Sequence, residues 1–371
     1  MSGQMLITGG AGFIGSHLAD ELLSLGYRVR VLDNLCSQVH GARKKVPDYL
    51  NPGVEFVCGD VRNSADIRRA LKDVDAVFHF AAAVGVGQSM YQIAEYTSVN
   101  NFGTAVLLQE LLEAPVETLI VASSMSIYGE GEYRDGSGTA ACGSRTLEQL
   151  RGGDWEVRNG HGEPLVPVPT REEKHPRLSS IYALSKYDQE HMCLMAGQAY
   201  GFRAVALRFF NVYGPRQSLS NPYTGVLAIF ASRILNGNRP LVFEDGLQQR
   251  DFVSVYDIAQ ACRLALESPQ AKGEILNIGS GKSVCVRDVA EKVARTLNRP
   301  DLSPELSGRY RVGDIRHCFS DITKAKTVLG YEPKVEFDTG IEELALWLKN
   351  QTPEDHVAEA CAELDARGLT V

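Results

Sequence analysis

Three glycines near the start of the chain constrain its fold more than any other feature. They occur as Gly9-x-x-Gly12-x-x-Gly15, after an apolar run and before a helical pattern. Glycine at these spacings leaves no side chain where the backbone turns, where it approaches a ligand and where the helix packs on the strand. The N-terminus of that helix offers free N–H groups to an anion. The motif therefore predicts a strand, a phosphate-binding turn and a helix, with a simple glycine turn as the alternative.

An acidic residue supports a dinucleotide as the ligand of this turn. Asp33 lies 18 residues beyond Gly15, at the end of the run Tyr27–Asp33, which predicts a second strand. A carboxylate there would accept a hydrogen bond from a ribose 2′-hydroxyl and repel a 2′-phosphate. We therefore expect NAD rather than NADP.

Short β-rich runs alternate with helical segments over the first 210 residues. The strands are expected at Met5–Thr8, Arg28–Leu32, Val54–Val57, Ala76–Phe80, Thr118–Ala122 and Ala204–Phe209, and helices at Ile14–Leu25, Ala65–Leu71 and Thr104–Glu113. This alternation predicts an α/β fold with a doubly wound, parallel, Rossmann-type sheet. Asp60 and Val61 follow the third strand, and Phe80, Ala81 and Ala82 end the fourth, where open sheets bind ligands. A turn or cap role is the alternative for Asp60.

The pattern loosens beyond about residue 211, where proline and glycine punctuate the chain. Helices are expected there at Val226–Asn236, Val255–Glu267 and Val286–Leu297. We predict an NAD-binding domain at 1–210 plus about 251–280, with an insertion at about 131–175, a smaller C-terminal α/β substrate domain at 211–250 and 281–350, and a helical tail at 351–371.

Composition narrows the class of partner. The chain has 371 residues, a net charge of -8 and no block of Lys and Arg, which argues against a nucleic-acid partner and favours a small molecule. The eight cysteines form no Cys-x-x-Cys pair, and the sequence has neither a signal peptide nor an apolar stretch of about 18 residues. We expect reduced thiols, no membrane segment and a cytoplasmic location.

A second motif, Tyr182-x-x-x-Lys186, follows a serine-rich strand end. Its two side chains lie one helical turn apart and share a face. A phenol is a poor base at neutral pH, but a nearby cation favours the phenolate. A surface pair would be the ordinary interpretation of this motif alone. After the glycine motif, the pair predicts proton transfer.

The combined motifs resemble the extended short-chain dehydrogenase/reductase family, in its nucleotide-sugar epimerase and dehydratase branch, over about residues 4–350. The resemblance rests on Thr8–Gly15, Ser123–Gly129, Tyr182-x-x-x-Lys186, Arg208–Arg216, Arg250–Asp257 and Asn277–Gly279. It implies that Tyr182 takes and returns a sugar hydroxyl proton, while Lys186 holds the ribose and lowers the pKa of Tyr182. Ser124 would hydrogen-bond the reacting sugar oxygen, with a turn serine as the alternative.

The resemblance also implies further contacts. The resemblance assigns five more residues to the cofactor: Phe13, Ile14, Asn34, Asn100 and Phe209. Asn211 and Arg250 would bind a diphosphate, with Arg316 as a second guanidinium, because forked donors match phosphate oxygens. A surface ion pair with Asp251 is the alternative for Arg250. The remaining substrate contacts are assigned to Val86, Gln88, Ser126, Val226, Leu241 and Phe243. The helices with Asn101–Glu113 and Tyr182–Ala199 would pair in a homodimer.

Two segments have open interpretations. The loop 85–91 could contact sugar hydroxyls, through Ser89 among others, or be a flexible glycine loop, and the run Pro240–Phe243 could line the nucleotide base or be plain core. Ser124 and Tyr182 are 58 residues apart. This separation is longer than is typical of the family because of the insertion. We expect it to form a lid or flap near the sugar. It is metal-free, since Cys142 and His161 are too few ligands.

The reaction expected from the resemblance is 4-epimerisation. Sugar 4,6-dehydratases of this family carry an Asp-Glu pair where this chain has Met125-Ser126, and elimination needs an acid and a base there. The expected substrate is a dTDP-6-deoxyhexose such as dTDP-L-rhamnose, and UDP-linked hexoses remain open. The alternatives are a UDP-glucose or UDP-glucuronate 4-epimerase, a UDP-glucuronate decarboxylase, and a non-catalytic NAD-binding scaffold.

Overall fold

A computed structural model describes residues 3–141 and 143–371, so Cys142, considered above as a metal ligand, lies outside the described residues. The strands are β1 (Gln4–Thr8), β2 (Arg28–Asp33), β3 (Glu55–Cys58), β4 (Ala76–His79), β5 (Thr118–Ser124), β6 (Glu132–Arg134), β7 (Ala140–Ala141), β8 (Val166–Val168), β9 (Arg203–Phe209), β10 (Asn211–Tyr213), β11 (Leu241–Val242), β12 (Gln249–Arg250), β13 (Phe252–Ser254), β14 (Ile275–Ile278), β15 (Val284–Cys285), β16 (Glu305–Leu306) and β17 (His317–Cys318).

The helices are α1 (Phe13–Ser24), α2 (Ser37–His40), α3 (Ser64–Ala70), α4 (Val86–Ser89), α5 (Ile93–Tyr96), α6 (Gly103–Glu113), α7 (Leu147–Arg151), α8 (Ile181–Tyr200), α9 (Val226–Leu235), α10 (Val255–Glu267), α11 (Val286–Thr296), α12 (Thr323–Leu329), α13 (Phe337–Leu348) and α14 (Val357–Ala366). A π-helical stretch, Thr97–Phe102, leads into α6, and 3₁₀ turns occupy Met125–Tyr128 and Pro269–Ala271.

A seven-stranded parallel sheet lies at the centre, in the order β14-β9-β5-β4-β1-β2-β3. The predicted α/β Rossmann-type fold is confirmed. Chain order reverses between β1 and β4, which creates the crevice where such sheets bind ligands. The carboxyl ends of β1, β4 and β5 therefore bring the glycine motif, Phe80 and Ser124 to one edge.

Two apolar layers cover the sheet, because helices pack on both of its faces. One layer includes Leu18 of α1 and Ile258 of α10, and the other includes Leu107 of α6 and Cys193 of α8. A separate apolar core joins α9, α11 and α13. Helix α12 falls in the predicted substrate domain, yet its residues Ala325 and Leu329 pack into the first apolar layer of the sheet.

The structure shows three local features that were not specified from the sequence. The seventh strand, β14, was not among the expected strands. Residues 86–89 form the short helix α4 rather than a flexible loop. The insertion contains an antiparallel sheet in the order β7-β6-β8 and the short helix α7.

Within the described residues, no helix is long and apolar enough to cross a membrane.

Candidate active site

The glycine turn has the geometry of a phosphate cradle. Gly9 has a φ of +69°, and a Cβ there would lie 2.8 Å from the Ala81 nitrogen. A Cβ on Gly15 would lie 2.5 Å from the Cα of Gly10, so neither position accepts a side chain. Gly12 is the N-cap of α1, which has no side-chain cap and no acid in its first turn. The first N–H groups of α1, at Phe13 and Ile14, therefore face an anion site without a competing carboxylate.

Asp33 ends β2 beside this cradle. Its carboxylate accepts hydrogen bonds from the N–H groups of Ala11 (3.1 Å) and Leu35 (2.9 Å), and His40 Nε2 lies 3.6 Å from Oδ1. Burial raises the pKa of Asp33, and these backbone bonds oppose the rise. The carboxylate is thus fixed at the strand end, where a ribose hydroxyl of NAD would donate to it.

Three residues that are predicted to bind the cofactor, Asn34, Asp60 and Val61, follow the ends of β2 and β3. Asn34 Nδ2 donates to Asp60 Oδ2 (3.0 Å), and Arg62 forks onto both oxygens of Asp60. The Arg62 hydrogen bonds hold the pKa of Asp60 at about 2, so the carboxylate is charged at neutral pH. Val61 beside it is buried.

Ser124, Tyr182 and Lys186 converge at the carboxyl end of β5. Tyr182 lies in the first turn of α8, which begins after the N-cap Ser180, whose Oγ accepts from the N–H of Ala183 (3.1 Å). The Tyr182 phenol hydrogen-bonds Ser124, and Lys186 Nζ donates to the Ala122 carbonyl (3.0 Å). The structure therefore brings the three predicted catalytic residues together.

The causes of the pKa shifts in this group differ from the expected cause. Burial raises the pKa of Tyr182, and the Ser124 hydrogen bond rather than Lys186 opposes that rise. Burial also lowers the pKa of Lys186 to about 8. The lowering of the Tyr182 pKa by Lys186 is thus not seen in this structure, because the lysine ammonium is directed to a backbone carbonyl.

Two predicted ligand contacts are occupied by protein partners. Gln88 Oε1 accepts from Gln38 Nε2 (3.0 Å) and from the Tyr96 hydroxyl (3.1 Å), and the side chain is buried. Asn100 bonds both backbone groups of Ala83 and donates to Ser185 Oγ. These contacts correct the assignments of Gln88 to the sugar and Asn100 to the cofactor, since both amides instead hold loops together.

The predicted diphosphate ligands Asn211 and Arg250 lie on β10 and β12. Asn211 Oδ1 is buried without a hydrogen-bond partner among the described residues, as expected of an atom that contacts a ligand. Arg250 donates to the carbonyls of Gln249, Ile315 and Arg316. These bonds use three of its five N–H groups. The Asp251 carboxylate, the alternative ion-pair partner of Arg250, accepts instead from the Ser280 and Ser320 hydroxyls.

Arg316 is not placed as a diphosphate ligand. Its side chain is 0% exposed, and its guanidinium binds Glu156, Glu244 and Asp245. Glu130 accepts from the Arg316 backbone N–H. We call Glu130, Glu156, Glu244 and Asp245 the carboxylate cluster. The predicted role is corrected because every nitrogen of the guanidinium already donates to a carboxylate.

The insertion supplies part of this network. Arg145 pairs with Glu130 (3.2 Å) and Glu244 (2.6 Å), and His317 Nε2 lies 3.2 Å from Glu156. Hydrogen bonds from His317 and Arg316 hold the pKa of Glu156 at about 2. Sequence analysis missed these residues, and the adjacent acids at 244 and 245 were the available signal. The described residues contain no metal-binding group of three or more His, Cys, Asp and Glu side chains.

The other predicted contacts are distributed over several elements. Phe80 and Phe209 form an edge-to-face pair at 6.0 Å between ring centroids, and Ser126 accepts from Ser124 Oγ at 3.2 Å. Val226 begins α9, Leu241 lies in β11, and the Phe243 ring lies 5.1 Å from the Arg311 guanidinium carbon. Val86 and Ala82 are half-buried near the end of β4.

The Rossmann sheet, the anion cradle and the Ser-Tyr-Lys group define an enzyme that binds a nicotinamide dinucleotide. The chain belongs to the NAD dependent epimerase/dehydratase family, whose model matches residues 5–148 and 159–279. The unmatched residues between them, 149–158, include Glu156 of the carboxylate cluster. NAD is the cofactor of this family, and the cradle and Asp33 fit it.

The similarity to known proteins extends over nearly the whole chain. The chain is 33% identical to a dTDP-L-rhamnose 4-epimerase of Burkholderia thailandensis over 94% of this chain and 95% of that protein. A Thermus thermophilus UDP-glucose 4-epimerase in complex with NAD is 32% identical, with a TM-score of 0.73, and covers 94% of this chain and 100% of that one. A Methanobrevibacter ruminantium UDP-N-acetylglucosamine 4-epimerase is 29% identical, with a TM-score of 0.77, over 95% and 99%. The chain is therefore an enzyme of the NAD-dependent nucleotide-sugar epimerase type, and the scaffold alternative is not retained.

Substitution Asp33→Asn is expected to lower NAD affinity about 10- to 100-fold, because a hydrogen bond to a charged group contributes about 1.5–3 kcal/mol. The amide keeps the size of the side chain but replaces one acceptor oxygen with a donor. Calorimetric titration of cofactor-free protein with NAD and NADP measures the change. Asp48→Asn, at an exposed carboxylate, is the matched control, and unchanged NAD affinity in Asp33→Asn would contradict the assigned contact.

Proposed function

We propose that this enzyme inverts C4 of a dTDP-6-deoxyhexose such as dTDP-L-rhamnose. The observation that carries the 4-epimerase reaction is the hydrogen bond between Tyr182 and Ser124 at the end of β5. The similarity to dTDP-L-rhamnose 4-epimerase over 355 aligned residues supports the sugar and the nucleotide.

The proposed mechanism assigns a separate task to each residue of the group. Tyr182, as phenolate, removes the proton of the sugar 4-hydroxyl, while Ser124 donates a hydrogen bond to the same oxygen. NAD, when bound, would supply the acceptor and later the donor of the C4 hydride. The flat 4-keto sugar would turn over in the crevice so that its other face receives the hydride, and Tyr182 would give the proton back to the new 4-hydroxyl. Lys186, held by Ala122, would keep the cofactor ribose in place.

Dehydration of the sugar is disfavoured by the residues beside Ser124. Met125 is buried among Ile127 and Phe210, and Ser126 bonds Ser124. Neither side chain can serve as the acid or base that loss of water requires.

A UDP-glucose or UDP-glucuronate 4-epimerase is the second candidate, because relatives and similar structures carry those names. UDP-glucuronate decarboxylation is the third, and a similar protein named as a UDP-N-acetyl-glucosaminuronate decarboxylase favours it.

The proposal is tested by incubating the pure protein with dTDP-, UDP- and GDP-sugars without added reductant and following the sugars by proton NMR. We expect a C4 epimer of a dTDP-6-deoxyhexose with no net NADH. Formation of a UDP-hexose epimer would show that the substrate is a UDP-hexose instead. Release of carbon dioxide with a pentose product would show that the reaction is a decarboxylation instead. No conversion in any sample would refute the proposal, and Tyr182→Phe is the matched negative control.

A homodimer is the expected assembly. Large apolar side chains are exposed on the helices predicted to pair, among them Phe102 and Leu112 on the α6 side and Leu184, Met195 and Tyr200 on α8. Light scattering should give twice the chain mass of 40.6 kDa. Leu184→Glu with Met195→Glu should yield the monomer, while Leu346→Glu, at an exposed apolar residue of α13, should not. A monomer in the unsubstituted protein would refute the prediction.

A further inference from the structure

The tail, residues 351–371, contacts both segments that position Tyr182. It begins with an anchor on α9, where Ser232 Oγ donates to the Glu354 carbonyl (3.2 Å) and Asn236 Nδ2 donates to that of Pro353 (2.9 Å). Helix α14 follows, with Val357, Ala360 and Leu364 buried. The tail is therefore folded onto the molecule rather than appended to it.

The first contact is with residues 85–91, which we call the sugar loop. A Cβ on Gly87 would lie 3.4 Å from Leu364 Cδ2, so the leucine packs directly on the loop backbone. The Arg367 guanidinium carbon lies 4.5 Å from the centroid of the Tyr91 ring. A leucine and a stacked arginine thus cover the outer side of this loop.

The sugar loop in turn holds the first turn of α8. Ser89 Oγ accepts a hydrogen bond from the Tyr182 backbone N–H (3.0 Å) and donates to the Val86 carbonyl (2.6 Å). Because Ser89 is completely buried, this bond has no water to replace it. Movement of the loop would therefore move the start of the Tyr182 helix.

The second contact reaches the same helix from the substrate domain. Val371 exchanges two backbone hydrogen bonds with Tyr310 (2.8 and 2.9 Å), and the Val312 N–H donates to the Leu369 carbonyl (2.9 Å). The next residue along, Gly313, accepts from Ser179 Oγ at 3.3 Å, three residues before Tyr182. A Cβ on Gly313 would also lie 4.0 Å from Val86 Cγ1.

We propose that the tail is a positioning element, which fixes the sugar loop and the first turn of α8 so that Tyr182 meets the sugar hydroxyl. The expected effect of the tail on catalysis rests on the proposed function. The restraint of the sugar loop and of the first turn of α8 by the tail does not. Displacing a reacting group by about 1 Å can cost about 100-fold in rate, and loosening both contacts removes the restraints on that displacement.

The test uses Leu364→Ala with Arg367→Ala in the full chain. We expect faster amide hydrogen exchange at residues 85–91 and 181–184, unchanged exchange in β5, unchanged NAD content, and a kcat lowered about 10- to 100-fold. Leu364→Met alone should keep both the exchange rates and the kcat of the unsubstituted protein, because the longer side chain still covers Gly87. Glu359→Ala, at an exposed position of α14, is the matched control.

Deletion of residues 357–371, which keeps the α9 anchor, should have the same effects in larger measure. Unchanged exchange at 85–91 and 181–184 in the double variant would overturn the proposal, as would a normal kcat with faster exchange. Because exchange is measured without substrate, a failure of the proposed epimerase reaction would leave this readout intact. The two failures are therefore distinguishable.

Discussion

Tyr182→Phe is expected to lower turnover about 100- to 10,000-fold while the fold and NAD binding persist. The magnitude is that of a lost general base or acid, and here one phenol performs both tasks. The substitution removes a single oxygen, which hydrogen-bonds Ser124, and leaves the ring in its edge-to-face contact with Tyr96 at 6.4 Å between centroids. The measurement is the rate of sugar conversion at saturating substrate, together with NAD content.

The pH dependence of kcat/KM gives a second check on Tyr182. Because burial raises the pKa of Tyr182, the phenolate is scarce at neutral pH and becomes more abundant as the pH rises. We expect kcat/KM to increase with pH above neutrality in the unsubstituted enzyme, and the residual activity of Tyr182→Phe to lack this limb. Tyr187→Phe, on the same helix, is the matched control. Near-normal turnover in Tyr182→Phe would contradict the assigned base.

The sequence predicted those parts of the fold and site that depend on short spacings. Gly9, Gly12 and Gly15 act within one strand-turn-helix unit, so their pattern carries the geometry of the cradle. Tyr182 and Lys186 lie one helical turn apart, so their proximity also follows from local structure. The missed strand β14 is only four residues long and includes the buried Asn277, which pairs with the Tyr128 hydroxyl. That polar side chain interrupts the apolar pattern by which a buried strand is recognised.

Contacts between distant segments could not be predicted in the same way. Periodicity tells which face of an element is buried, but it does not tell which side chain lies opposite. Ser89 and Tyr182 are 93 residues apart, and Arg316 and Glu156 are 160 apart. Gln88 and Arg316 were assigned to ligands because amides and guanidinium groups bind sugars and phosphates well, yet protein groups satisfy both. Partners of the same chemistry compete with a ligand, and the sequence does not reveal which one is adjacent.

Arg316→Met is expected to lower the free energy of unfolding by about 3–5 kcal/mol at neutral pH, the usual cost of removing one partner from a buried ion pair. Methionine fills much of the volume but leaves Glu244, whose side chain is 1% exposed, with Arg145 alone, and strips Asp245 of its forked partner. Urea unfolding measures the loss. Arg299→Met, which breaks an exposed pair with Asp301, should leave the stability unchanged.

The pH dependence separates this structural role from diphosphate binding. In the unsubstituted protein the pKa of Glu156 is about 2, held low by His317 and Arg316, so its contribution to stability is present above its unfolded pKa and is lost as the pH falls toward 2. Without Arg316 the crowded carboxylates would instead have raised pKa values, and protonation would relieve their repulsion as the pH falls. The stability difference between the two proteins should therefore be largest near neutrality and shrink in acid. A variant with unchanged stability and a higher KM for the nucleotide sugar would show that Arg316 binds the diphosphate.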